Sequence, residues 1–257
     1  MIMRRLREQA VQQNWFGVAV DLAILILGVF LGIQVNNWNQ ERLAQHAGQE
    51  YRQRIIGDIE SNRTDLANRL TYFRDIKTFA AGTLGALDRP VGEQPQAFLV
   101  NAYQASQITP RKMRRFAYDE ALSTGQFMKV GSAEVRERLS NYYTGMDTIE
   151  VTFLTITPYR EHIRAGMSVR AQEAVREQCP EGLSVTGNGP MLTTLPANCE
   201  IKMDRTEAIR HAAEVRAMPT LRSDLVRLMA DLDVKIRLAS YFDQRAEQLR
   251  DEFQKSD

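Results

Sequence analysis

The sequence predicts an all-α protein: one N-terminal transmembrane helix running on into a long helix, followed by an elongated antiparallel helical bundle. Three observations carry this. A single apolar run lies near the N-terminus, no proline interrupts the chain between that run and Pro90, and both ends of the chain repeat apolar residues at helical spacing. Residues three and four apart share one helix face, so such a stripe needs another stripe to bury against.

The apolar run reads FGVAVDLAILILGVFLGIQV from Phe16 to Val35. Trp15 and Trp38, the only tryptophans, bracket it. Their separation corresponds to about 34 Å of helix, close to a hydrocarbon core of roughly 30 Å. Indole rings favour the interfacial layers, so the pair reads as membrane-interface anchors. A buried core helix is the bland alternative. A cleaved signal peptide needs small residues before its cut site, and QVNNWNQERL after Ile33 has none. Arg4, Arg5 and Arg7 precede the run, while Arg42 alone follows within the next dozen residues. Basic residues stay on the cytoplasmic side. The expected layout is a short cytoplasmic tail over 1–14, a transmembrane helix over 15–38, and a periplasmic helical domain over 39–257 on a bacterial inner membrane.

Gly28 and Gly32 form a GxxxG step, and Gly17 and Asp21 share their face within about 60°. Small residues let helix backbones approach closely in lipid, so these four are candidates for membrane-helix packing. Chance glycine placement with an interfacial Asp is the competing reading. An acidic residue entering an apolar run with glycines, then Gln34 and Asn36-Asn37-Trp38-Asn39, resembles an uncharacterised bacterial family of N-terminally anchored single-pass membrane proteins. Residues 117–126 (AYDEALSTGQ) and Tyr142-Tyr143 resemble that family's second recurrent stretch. The resemblance covers about half of the chain. It implies a single-pass topology and supplies no chemistry.

Behind the anchor, Leu43, Ala47, Tyr51, Ile55, Ile59, Leu66, Leu70, Phe73, Ile76 and Phe79 define one stripe of a helix reaching about Leu87. At the other end, Leu221, Leu225, Leu228, Leu232, Ala239, Phe242, Ala246, Leu249 and Phe253 define a second, broken only by Lys235. Shorter helices are expected over 96–107, over 114–124 closed by Gly125, over 132–157 with Ser132 as cap, and from Pro158 to Gln178. The β-branched TIEVTFLTIT of 148–157 is also strand-like.

The only cysteines, Cys179 and Cys199, flank a Gly- and Pro-rich loop over 179–199 with a possible small hairpin at Gly187-Asn188-Gly189. They are well placed for a disulfide in an oxidising compartment. Two unrelated buried thiols are the alternative, and two thiolates without a neighbouring His are too few for a metal.

Formal net charge is +1, which argues against a nucleic-acid partner bound by phosphate neutralisation. His46, His162 and His211 show no metal-ligand spacing, and no P-loop, Rossmann or nucleophile-elbow pattern occurs. No cofactor and no enzyme activity is expected. One concentrated basic run, Arg111, Lys112, Arg114 and Arg115, is a candidate anion or partner patch, against the plainer reading of a solvated helix start. The sequence therefore points to an anchored interaction or scaffold protein. It would contact the lipid bilayer and either a homo-oligomeric copy or another membrane protein, through the membrane helix and helical stripe. The alternative is a ligand-binding, sensor-like bundle signalling through a partner.

Overall fold

The computed structural model describes residues 15–185, 187 and 189–255, with the side chains of 15–18, 254 and 255 outside that description. The expected cytoplasmic tail, with Arg4, Arg5 and Arg7, lies outside the described residues.

The spine is α1, a single helix over Trp15–Ala86 of 72 residues, about 108 Å long. It has two unlike parts. Every side chain from Ala19 to Leu43 is exposed, and an 18-residue window within this part has a mean hydropathy of 2.0 with none of it buried. Further along, Ile55, Ile59, Leu66, Phe73, Ile76 and Phe79 are buried. Leu43 fits the stripe by spacing yet is 57% exposed, because the body first closes on α1 one turn later.

The C-terminal helix α8 (Leu221–Lys255) lies antiparallel to this body half of α1. Arg63 pairs with Asp243 at 3.2 Å and Glu247 at 3.1 Å, Lys77 with Asp233, and Arg222 with Asp88, so rising numbers on one helix meet falling numbers on the other. All nine apolar residues of the α8 stripe are buried. Each large aliphatic or aromatic side chain so buried contributes about 1.5–3 kcal/mol, which makes this seam the main source of cohesion. A third helix, α4 (Ala133–Leu154), packs antiparallel on α8. Ser132 caps it by accepting from the Val135 amide at 3.2 Å. At the crossing, a Cβ on Gly145 would lie 2.7 Å from Phe242 Cζ, so this close approach needs glycine.

The body end distal to the apolar segment is built from shorter pieces: α2 (Pro95–Gln104), α5 (Pro158–Gly166), α6 (Val169–Gln178) and α7 (Arg205–Arg216). The α4 helix stops at Leu154, three residues before the expected Thr157: Thr155 is already extended, at φ −62, ψ 123, and the residue before a proline is itself kept out of the helical region. Thr157 accordingly sits at φ −89, ψ 149 ahead of Pro158. The single helix expected from Pro158 to Gln178 is two, since the Ser168 hydroxyl accepts from the Ala171 amide and starts a new helix. Asp204 does the same for α7, accepting from Thr206 and Glu207 amides at 2.9 and 3.1 Å; that helix was not singled out from the sequence. Near the other end, α3 (Phe116–Ser123) closes at Gly125, at φ 72, and leads into a 3₁₀ turn over Gln126–Lys129.

The Gly-rich insert forms an antiparallel hairpin, β1 (Gly182–Val185) with β2 (Met191–Thr194), in the register Leu183 opposite Thr193. These are the only strands among the described residues. Cys179 and Cys199 stand at disulfide distance, with Cα atoms 5.7 Å apart, and tie the base of the hairpin.

Candidate functional site

Two features stand out once the fold is in place: a bare apolar helix segment, and a buried polar strip where the arginine run was expected to be a surface. On the segment, Gly28 and Gly32 have nothing within 4 Å of where a Cβ would be. Asp21 is exposed on the same side, so the predicted packing face is unoccupied in the single chain. Trp38 is 67% exposed, with the Arg42 guanidinium 5.6 Å from its ring centroid. Trp15 and Gly17 are in helical backbone at the start of α1, and the Trp15 side chain lies outside the described residues.

The arginine run does not form one cationic face. Arg111 is drawn inward, its side chain only 9% exposed, by Asp65, which it shares with the wholly buried Arg69. Arg111 also donates to Asn68 Oδ1 at 2.7 Å and Thr109 Oγ1 at 2.6 Å. Arg114 lies 3.6 Å from Asp58, and Arg115 pairs with Asp119 and Asp147. Lys112 alone of the four is fully on the surface. The predicted patch is thus largely neutralised from within by carboxylates on α1, α3 and α4.

The reason is backbone accounting. Residues 108–115 and strand β2 cross α1 without helical hydrogen bonds of their own, and buried amides and carbonyls need partners. α1 supplies them. Asn62 donates to the Arg114 carbonyl and accepts from the Arg114 amide, both at 2.7 Å. Asn68 makes the same two-way clamp on Thr193, at 3.0 and 3.1 Å. Asp58 accepts from the Ala117 amide at 2.8 Å. The Arg69 guanidinium donates to Asp65 at 2.6 Å and to the Arg111 carbonyl at 2.7 Å, and lies 5.1 Å from the Phe153 ring centroid. Burial lowers its pKa, and Asp65 opposes that shift.

Beside the strip, Lys235 occupies the one break in the α8 stripe. Its ammonium reaches the carbonyls of Phe153 and Thr155 at 3.4 and 3.3 Å, the C-terminal end of α4. A cation there meets the negative end of the helix dipole. Burial lowers its pKa, Asp231 opposes the shift, and Arg69 adds to it. Lys235, Phe73, Ser106, Thr109, Phe153 and Thr157 border a cavity of about 20 Å³, room for a water molecule.

A second polar contact joins α5 to α8. His162 Nδ1 lies 2.7 Å from Asp224 Oδ2, and a carboxylate only accepts, so Nδ1 carries the proton. Burial raises the Asp224 pKa, but the Thr220 hydroxyl and His162 outweigh it and hold the carboxyl below its usual range. A depressed carboxylate contributes stability that is full above the ordinary aspartate range and is lost as pH falls below that range through the carboxyl's own lowered value. Asp224→Asn is therefore expected to cost about 1–2 kcal/mol at neutral pH. It should cost progressively less in acid, as read by denaturant unfolding across that pH range. An equal cost at every pH would mean that the charge contributes nothing.

Among the described residues no group of three or more His, Cys, Asp or Glu is placed to hold a metal. No family model, no curated protein and no solved structure matches this chain. What the fold defines is a class: a helical body, with one short hairpin, built on a long helix whose exposed apolar first segment is long enough to cross a membrane.

Proposed function

We propose that this chain is a single-pass, membrane-anchored interaction protein that works by associating with a second copy or as an accessory subunit of a membrane complex. We place it in a bacterial inner membrane with its N-terminus cytoplasmic and its body periplasmic. One observation carries the reading. The same unbroken helix is bare and apolar at one end and is the packed spine of the body at the other. A contact made in the bilayer therefore reaches the body with no flexible linker between.

The small residues Gly28 and Gly32 suit a close helix contact. The cysteine pair suits an oxidising compartment, and the arginine excess before the apolar run suits the same orientation. The sensor-like alternative has weaker support. The cavity between the helices at Lys235 is about 20 Å³. The larger spaces, about 310 Å³ beside Arg52 and about 450 Å³ beside Asn101, are open surface clefts, whereas usual ligand sites enclose most of their ligand.

The test is purification of the full chain from its native membranes in mild detergent, with composition and stoichiometry read by native mass spectrometry. A reproducible second protein or a fixed multiple of the chain is the expected result. A monomer with no companion, across detergents that preserve known complexes, would sink the association reading.

A further inference from the structure

We infer that the free edge of β1 is a docking site for an extended segment of another protein, which adds to the hairpin as a third strand. The inference deepens the accessory-subunit side of the reading above and rests on it. Asn68 holds both the amide and the carbonyl of Thr193, at 3.1 and 3.0 Å, so both groups point away from β1. Leu183 stands opposite Thr193, and Val185 opposite Met191. Along an antiparallel ladder, opposite residues turn their backbone groups alternately towards each other and outwards. The amides and carbonyls of Leu183 and Val185 therefore face out of the hairpin, while Gly182 and Ser184 make the bonds to β2. All four residues of β1 are exposed. Among the described residues, no backbone group outside the hairpin bonds the outward ones. The hairpin thus has one open edge, since Asn68 closes the other.

Nothing in β1 guards this edge. Edge strands are ordinarily blunted by a lysine, a proline, an inward charge or a bulge. Gly182-Leu183-Ser184-Val185 has no such residue, and its register with β2 is unbroken. Leu183 and Val185, 65% and 61% exposed, share one face with Met191, 46% exposed. Side chains of an added strand lie about 5 Å from these, so the segment that fits carries uncharged, apolar residues at alternate positions. Outward amides and carbonyls at every second residue are matched by another extended backbone. The edge is also held ready for it. The cysteine pair ties the base of the hairpin and Asn68 fixes β2, so little order has to be gained on binding.

A second copy in the same bilayer does not fit. Tyr72 donates to Glu181, and Asn68 grips the residue opposite Leu183. Glu181 to Leu183 is two residues of extended chain, about 7 Å. Tyr72 to Asn68 is four residues of α1, about 6 Å. The strands therefore run along the helix axis. Two copies inserted the same way are related by rotation about the bilayer normal, which keeps their β1 strands parallel and sets equal residues at equal heights. Amide then meets amide and carbonyl meets carbonyl, whereas a ladder needs one opposite the other. The occupant is therefore a different protein.

The test compares the full chain purified with its companion from native membranes and the same chain stripped of it, by hydrogen exchange read at single amides. The expected result is slow exchange at Leu183 and Val185 in the complex and fast exchange in the stripped chain. Ser184 and Leu192, bonded within the hairpin, should be slow in both. Val185→Pro removes one outward donor and spares the bonds to β2, so recovery of the companion should fall about tenfold, the upper range for one hydrogen bond. Leu183→Pro replaces it if exchange at Ser184 and Leu192 shows the hairpin disturbed. A companion that leaves Leu183 and Val185 in fast exchange would overturn the docking and leave the interaction reading intact. Protection of both amides in a complex holding only copies of the chain would overturn the choice of occupant. A chain recovered alone would overturn the interaction reading, and this inference with it.

Discussion

Asp65→Ala is expected to lower the stability of the full chain by about 3–5 kcal/mol, the cost of leaving a buried charge uncompensated. Asp65 is 2% exposed and is shared by Arg69 and Arg111, the first of which is wholly buried. Removing the carboxylate leaves two guanidinium groups close together with nothing between them to balance their charge, one of them against the Phe153 ring. Replacing the group as a whole should behave differently. Asp65→Leu with Arg69→Met and Arg111→Met is expected to recover part of the loss, because a buried ion group is often matched by well-packed apolar residues. It should not recover all of it, since the hydrogen bonds of Arg111 to Asn68 and Thr109, and of Arg69 to the Arg111 carbonyl, go with the charges. Denaturant unfolding in detergent measures both. A loss below about 1 kcal/mol for Asp65→Ala is the size expected of a solvated surface pair, and would mean that water enters the strip.

Breaking the cysteine pair should have the second large effect. The pair closes a loop of sequence separation 20, for which the chain-entropy account gives about 3 kcal/mol. In a chain of this size that corresponds to a fall in Tm of roughly 6–12 °C. The local consequence should be sharper than the global one. Strand β2 is held at its base by the cysteines and on its inner face by the Asn68 clamp on Thr193. With the first gone, the Thr193 amide is expected to lose protection in hydrogen exchange ahead of the α1–α8 seam. Reductant should lower the Tm of the parent chain and leave that of Cys179→Ala/Cys199→Ala unchanged. Equal melting of the parent with and without reductant would show the pair to be free thiols, and would remove one support for a periplasmic body.

The two long helices were legible because their signal is local and repetitive. A stripe from Ile55 to Phe79 and another from Leu221 to Phe253 need no knowledge of the partner to be seen. Lys235 was visible only as a fault in the second stripe. Its purpose depends on where α4 ends, which depends on Pro158, 77 residues away. The polar strip was not legible at all. Asp58, Asn62, Asp65 and Asn68 sit at helical steps and look like a solvated face, and what the first three grip lies 59, 52 and 46 residues further on, while Asn68 clamps Thr193 at a separation of 125. The arginine run misled for the same reason, since the carboxylate that takes Arg111 inside is 46 positions away. The hairpin was half legible: glycine at 187, at φ 55, suits the turn, but strand pairing of four residues is too short to register as alternation. The helix break at Ser168 had a readable sign in its cap, which the longer apparent helix from Pro158 obscured.

An unbroken α1 also has a geometric consequence. With the anchor in a bilayer as proposed, Ala86 stands about 72 Å along the helix from Trp38. A tilt of about 20°, ordinary for a membrane helix, carries that far end sideways by roughly 25 Å. The molecule is then a mast rather than a tethered float: small angles at its foot become large displacements at its top. Proteins lying low in the membrane can meet only the foot. The hairpin, gripped by Asn68 about 45 Å above the foot, is within reach only of proteins tall enough to stand beside it, or of those descending from the far side of the compartment. Stature alone thereby sorts the neighbours that can touch each level of the body.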